Sequence, residues 1–91
     1  GENHHVGLKA NYSMADLLNR QGKYNESEKH INFVLASRRK TLGNNHIDTI
    51  SSLAYLGVVY FGQGKFKEAE ECFRETLKVQ QNILGKNQQI N

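Results

Sequence analysis

The sequence predicts an all-α protein, an α-solenoid of two antiparallel helix hairpins stacked side by side. One observation is a repeat, because the segment at residues 42–49 (LGNNHIDT) is echoed at residues 84–91 (LGKNQQIN). A second is that apolar residues recur at three- and four-residue spacing, and a third is that proline is absent. Repeats with a period of about 20 to 50 residues are typical of solenoids, whose faces bind other molecules.

The same 42-residue register holds between these two segments. It aligns residues 21–23 (QGK) with 63–65 (QGK), and it aligns the single pairs Tyr24 and Phe66, Glu26 and Glu68, Glu28 and Glu70, and Leu35 and Leu77. We therefore predict a first unit at residues 1–42, a second unit at 43–84 and the start of a third unit at 85–91. We also expect the chain to be part of a longer protein.

The sequence of the first unit predicts two helices. They are expected to end at Gly22 and Gly43, because glycine readily takes the left-handed conformation that closes a helix. The inner face of each helix follows from its apolar spacing. The residues expected on these faces are Leu8, Met14, Ala15 and Leu18 in the first helix and Tyr24, Ile31, Val34, Leu35 and Leu42 in the second.

The second unit repeats this design. Asp48 or Thr49 is expected to cap its first helix, which ends at Gly64, and the second helix is expected to end at Gly85. Glu70 and Arg74 have the spacing of a favourable pair on the outer face. The predicted inner-face residues are Ile50, Leu53, Ala54, Leu56, Gly57 and Tyr60, followed by Phe66, Ala69, Phe73, Thr76, Leu77 and Leu84.

Composition narrows the class of protein. The 91 residues suffice for one small domain, and two units are fewer than the roughly three that such folds usually need. We therefore expect self-association through exposed repeat ends. A single cysteine excludes an internal disulfide and favours a reducing, cytoplasmic location. No run approaches the about 20 apolar residues of a membrane span.

The histidines and the basic run have simpler structural explanations than a ligand site. His4 and His46 occupy equivalent positions, so we expect a loop or helix-start role for each rather than a metal site with His5. The run Arg38-Arg39-Lys40 closes a helix, where cations interact favourably with the helix dipole. An acidic partner or nucleic acid is the alternative, testable by salt titration. No nucleophile–base pair or phosphate-binding loop is present, so we expect neither an enzyme nor a cofactor.

The second unit resembles a tetratricopeptide repeat at Leu53, Leu56, Gly57, Tyr60, Gly64, Phe66, Ala69 and Phe73. Its 42-residue length, and the pattern formed by Leu42, Gly43, His46 and Thr49, are similar to the repeats of kinesin light chains and nephrocystin-like proteins. Ile47 stands where those repeats usually have proline. The resemblance implies a right-handed superhelix in which the first helix of each hairpin lines a concave groove.

That groove implies a protein-interaction module that binds a partner peptide, within a scaffold or an adaptor such as a kinesin-light-chain-like cargo adaptor. A chaperone-type carboxylate clamp does not fit, because Asp16 would repel a carboxylate. The alternative is a purely structural or self-associating segment. The candidate peptide-binding residues are Lys9, Tyr12, Ser13, Asp16, Asn19 and Arg20 in the first unit and Ser51, Ala54, Tyr55, Val58 and Phe61 in the second.

Overall fold

The computed structural model describes the backbone of residues 2–89 and the side chains of residues 7–85. It contains four helices, α1 (Glu2–Arg20), α2 (Tyr24–Leu42), α3 (Ile47–Gly62) and α4 (Phe66–Gln89). Helices α1 and α2 pack together, α3 and α4 pack together, and α2 packs on α3 to join the two hairpins. The described residues contain no strand. The predicted all-α solenoid is therefore confirmed.

The turns inside the two hairpins are built in the same way. Gly22 and Gly64 both have a φ angle of 80°, which suits glycine because it has no Cβ to clash. In each turn the next residue's N–H closes the helix, since Lys23 donates to the Leu18 carbonyl at 2.8 Å and Lys65 donates to the Tyr60 carbonyl at 2.8 Å. Equivalent hydrogen bonds therefore end the first helix of each repeat.

Two predicted helix ends are wrong. The N-cap of α3 is His46, whose Nδ1 accepts a hydrogen bond from the Asp48 N–H at 3.0 Å. The backbone is extended at this residue, so its imidazole, and not the side chain of Asp48 or Thr49, reaches the first turn. Helix α4 also continues through Gly85 to Gln89, because the residues that follow this glycine include lysine and glutamines, which are good helix formers.

The core lies between the hairpins and inside each of them. Its buried apolar residues are Leu8, Ala15, Leu18, Ile31, Val34, Leu35, Ile50, Leu53, Leu56, Val59, Ala69 and Cys72. Six residues predicted on inner faces are instead exposed, and these are Met14, Leu42, Phe66, Phe73, Leu77 and Leu84. The packing of the described helices leaves these side chains partly or largely uncovered. Burial raises the pKa of the Cys72 thiol, because the charged thiolate is disfavoured in the apolar core.

Close helix approach depends on small residues at the contacts between helices. A methyl group added to Gly57 would lie 2.7 Å from the ring of Phe73 on α4, and one added to Gly62 would lie 2.5 Å from the ring of Tyr24 on α2. In the first hairpin the buried Ser27 hydroxyl donates to the Ala15 carbonyl at 2.6 Å. Small residues therefore allow close packing of α1 on α2, of α2 on α3 and of α3 on α4.

Candidate functional site

The candidate groove lies along α1 and α3, and the structure joins these helices at two tyrosines. The rings of Tyr12 and Tyr55 are 5.4 Å apart at an angle of 55°, an arrangement in which the aromatic edges and faces attract each other. Of the predicted groove residues, the exposed ones are Lys9, Ser13, Arg20, Ser51, Val58 and Phe61, and the half-buried ones are Tyr12, Asp16, Asn19, Ala54 and Tyr55.

A polar network fixes the second tyrosine. The Tyr55 hydroxyl donates to Asp16 Oδ1 at 2.6 Å, and Arg20 Nη2 lies 3.0 Å from Asp16 Oδ2. The pKa of Tyr55 is raised to about 12, first by burial and then by the hydrogen bond to the Asp16 carboxylate and its negative charge. Both carboxylate oxygens of Asp16 are therefore engaged within the protein, which leaves the tyrosine ring as the part available to a ligand.

Arg38 of α2 belongs to the same site, although the sequence did not identify it. Its guanidinium lies 5.3 Å from the Tyr12 ring centroid, within the range of a cation–π interaction. Its Nη1 also donates to the Asp48 carbonyl at 3.0 Å and to the Ser52 hydroxyl at 2.8 Å. The helix-dipole interpretation is therefore incomplete, because Arg38 connects α1, α2 and α3.

The neighbouring basic residue is also engaged, since Arg39 Nη2 lies 3.2 Å from Glu75 Oε2 on α4.

The sequence carries only a weak sign of the contacts of Arg38. Its equivalent in the second unit is Gln80, so the repeat does not preserve the position, and both of its hydrogen-bond partners lie outside its own helix.

Next to the tyrosine pair is an open depression of about 380 Å³. It combines two cationic side chains, one carboxylate, two serine hydroxyls and one aromatic side chain. Its lining residues are Lys9, Tyr12, Ser13, Arg38, Asp48 and Ser51. Four of these are predicted groove residues, and they can offer hydrogen bonds and apolar contact to one side chain of a peptide.

Phe61 is separated from this depression. Its ring packs edge-on against Phe66 of α4, with the centroids 5.1 Å apart. Phe61 follows Tyr55 by six positions on α3, and a rotation of about 100° per residue carries it well away from the direction of the tyrosine. The structure therefore places Phe61 beside the α3–α4 turn rather than with the tyrosine pair.

The histidines with described side chains have local partners. His46 caps α3, and His30 Nδ1 lies 2.8 Å from Asn11 Oδ1, whereas the side chains of His4 and His5 lie outside the described residues. No group of three or more His, Cys, Asp or Glu side chains within residues 7–85 is arranged to hold a metal ion. None of the described helices has the length and apolar character needed to cross a membrane.

The sequence of the chain matches one protein-family model. A family model described as a tetratricopeptide repeat matches residues 8–82. The matched range includes the whole α1–α3 groove, both glycine turns and the α2–α3 joint. The comparison with curated proteins gives no match.

Proposed function

The chain belongs to the tetratricopeptide repeat family, and on this premise we propose that it binds a peptide segment of a protein partner in the groove between α1 and α3. Repeats of this family generally mediate protein–protein interactions. A binding role uses the side chains of the groove as they stand and requires no catalytic group.

The observation that carries the proposal is the tyrosine pair formed by Tyr12 and Tyr55. Asp16 holds one ring through its hydroxyl, and Arg38 lies against the other ring. Aromatic side chains that are already fixed lose little conformational entropy when a ligand binds. Tyrosine is also among the residues that most often dominate binding energy at protein interfaces. This support points to the pair as the anchor point of the peptide.

The proposed ligand is a short extended or helical segment. An apolar side chain of the peptide packs on the tyrosine pair, while backbone or side-chain oxygens meet Lys9 and the hydroxyls of Ser13 and Ser51. Two further predicted groove residues, Ala54 and Val58, extend the apolar surface along α3. The carboxylate of Asp16 is occupied by Tyr55 and Arg20, so it contributes little to recognition.

The subclass is a further part of the proposal. The 42-residue spacing of the units favours the kinesin-light-chain and nephrocystin-like group over the commoner, shorter tetratricopeptide repeats. A cytoplasmic adaptor or scaffold role agrees with a lone buried cysteine. The alternative, in which these repeats are purely structural, predicts no peptide affinity in the groove.

The test is selection of a random peptide library on the 91-residue chain, followed by calorimetric titration of a selected peptide. Tyr12→Ala is expected to cost about 2 kcal/mol, or roughly a thirty-fold higher Kd, because hot-spot truncations have this size. The matched control is Phe33→Ala, which removes an exposed aromatic ring on α2 outside the groove and is expected to leave Kd within about two-fold.

Two outcomes would contradict the proposal. The first is a library that yields no peptide above background although the chain is helical. The second is a selected peptide whose Kd responds to Phe33→Ala and not to Tyr12→Ala, which would place the binding surface outside the groove.

A further inference from the structure

The two ends of the helix stack expose apolar side chains that differ from each other. On one end, α1 presents Ala10, Met14 and Leu17, which we call the head face. On the other end, α4 presents a stripe of four residues that we call the tail face, namely Phe66, Phe73, Leu77 and Leu84. The stripe recurs at intervals of seven, four and seven residues, the spacing of a helix face that packs along another helix.

The repeat relates these faces to the joint between the two hairpins. Shifting the head face forward by one period gives Ser52, Leu56 and Val59 of α3, and shifting the tail face back by one period gives Tyr24, Ile31, Leu35 and Leu42 of α2. Leu56 and Val59 of α3 share one buried cluster with Ile31 and Leu35 of α2, and Tyr24 packs against it. Each end face is therefore equivalent to one half of an interface that the molecule already contains.

Equivalent side chains are buried in the α2–α3 interface and exposed on the end faces. Leu56 is 6% exposed, whereas its head-face equivalent Met14 is 43% exposed. Leu35 is 4% exposed, whereas its tail-face equivalent Leu77 is 58% exposed. The exposed residues keep the apolar character of the buried ones, although nothing in the described part of the chain covers them.

We propose that the tail face of one copy docks on the head face of a second copy and repeats the α2–α3 packing between molecules. The partner is a second copy because this chain carries both halves of the joint. Such contacts are heterologous, so every stack keeps one free head face and one free tail face, and it grows along one axis.

Polar contacts are compatible with this head-to-tail order. Residues 2–20 of α1 carry two acidic and two basic side chains, and residues 66–89 of α4 carry four of each. The two end helices are therefore neutral and can approach each other without net repulsion. One hydrogen bond can also be repeated, because the internal bond from Gln63 Nε2 to Glu28 Oε1 at 2.8 Å has Gln21 and Glu70 as its equivalents.

One position must differ from the internal joint. Gly62 accommodates the Tyr24 ring, but the equivalent residues are Arg20 on the head side and Phe66 on the tail side. The Phe66 ring must turn from its internal position, and the arginine then lies over it in a cation–π contact. We therefore expect weaker packing at this point than in the α2–α3 joint.

The experiment is sedimentation analysis of the 91-residue chain over a wide concentration range, with one charge placed on each face. Leu77→Glu blocks the tail face and Leu17→Glu blocks the head face, while circular dichroism verifies that each variant remains helical. We expect the unmodified chain to form a concentration-dependent series of species and each variant alone to be monomeric. Mixing the two variants is expected to give a 1:1 heterodimer and nothing larger, because one head and one tail remain intact.

The control is Ala36→Glu, which adds the same charge at an exposed α2 position outside both faces and should leave the series unchanged. A monomeric unmodified chain at every concentration would overturn the proposal. A Leu17→Glu variant that still dimerises while Leu77→Glu does not would also overturn it, since that result indicates a symmetric contact of two tail faces.

Discussion

At the scale of single residues, the glycines divide according to what a side chain would meet. Gly57 faces the Phe73 ring, whereas Gly85 lies in α4 with no atom within 4 Å of an added Cβ. We predict that Gly57→Ala lowers the free energy of unfolding by about 1–3 kcal/mol through overpacking. Gly85→Ala should raise it by up to about 1 kcal/mol, because alanine is the better helix former.

Urea denaturation of both variants measures the predicted decrease and the predicted increase in the free energy of unfolding in the same protein. An unchanged midpoint for Gly57→Ala would indicate that the Phe73 ring turns aside without cost. A loss of stability for Gly85→Ala would contradict the continuation of α4 past this glycine.

The ionisation of Tyr55 gives a prediction about pH. Its pKa is about 12, above its ordinary value of 10, so the unfolded chain loses this proton first as pH rises. The stabilising contribution is therefore complete below pH 10 and is lost between pH 10 and 12. We expect the stability difference between the unmodified chain and Tyr55→Phe to remain constant below pH 10 and to decrease above it.

The cause of the shift is separable by Asp16→Asn. This change removes the carboxylate charge and leaves an uncharged acceptor, while burial, the largest cause of the shift, remains. The phenol pKa should fall but stay above its ordinary value in a ¹³C NMR titration of the tyrosine Cζ. A pKa that does not move would show that the carboxylate has no part in the shift.

At the scale of helices, Arg38 connects α2 to two neighbours, and its contribution can be separated from that of the helix dipole. Arg38→Met keeps an apolar stem but removes the bonds to the Asp48 carbonyl and the Ser52 hydroxyl. We expect a loss of about 1–2 kcal/mol in the free energy of unfolding, near the lower end for hydrogen bonds to charged groups, because one bond is exposed and the other is only partly buried.

Lys40→Met is the matched control, because Lys40 is exposed in the last turn of the same helix. This change should cost within about 0.5 kcal/mol, as surface substitutions usually do. Equal losses in urea denaturation would indicate that both cations act only through the dipole.

The helix ends also show which features the local sequence determines. Gly22 and Gly64 could be predicted as turn residues because a glycine at a helix end acts through its own backbone, which the local sequence determines. The cap at His46 could not be predicted, since it depends on the entry angle of the chain at that residue. The end of α4 was also misplaced, because glycine stops a helix only where the backbone turns.

The candidate groove shows the same limit. The residues along α1 and α3 followed from the repeat and the family resemblance, whereas the contact between Asp16 and Tyr55 depends on the packing angle of two helices that are 39 residues apart in sequence at this bond. Arg38 was assigned to a helix end because it lies in the basic run that closes α2, and its periodic equivalent, Gln80, gives no sign of its contacts with α1 and α3. A contact that occurs in one repeat and not in the other cannot be recognised by comparing the sequences of the two repeats.

At the scale of the whole molecule, the order of packing predicts the order of local stability. Helices α2 and α3 each pack closely on a helix at both sides, whereas α4, within the part of the chain that the structure describes, packs closely on α3 alone. In a linear array each element is stabilised mainly by its immediate neighbours. We therefore predict slower amide hydrogen exchange in α3 than in α4 at low protein concentration, with opening free energies that differ by at least about 1 kcal/mol.

The same experiment at high concentration joins local stability to the proposed stacking. If the tail face is covered by a second copy, exchange in α4 slows while exchange in α3 changes little, because α3 is already packed on both sides. Leu77→Glu serves as the control, since it blocks the tail face and should keep exchange in α4 fast at every concentration. Equal protection of all four helices at low concentration would contradict the linear model, and it would mean that the chain opens only as a single unit.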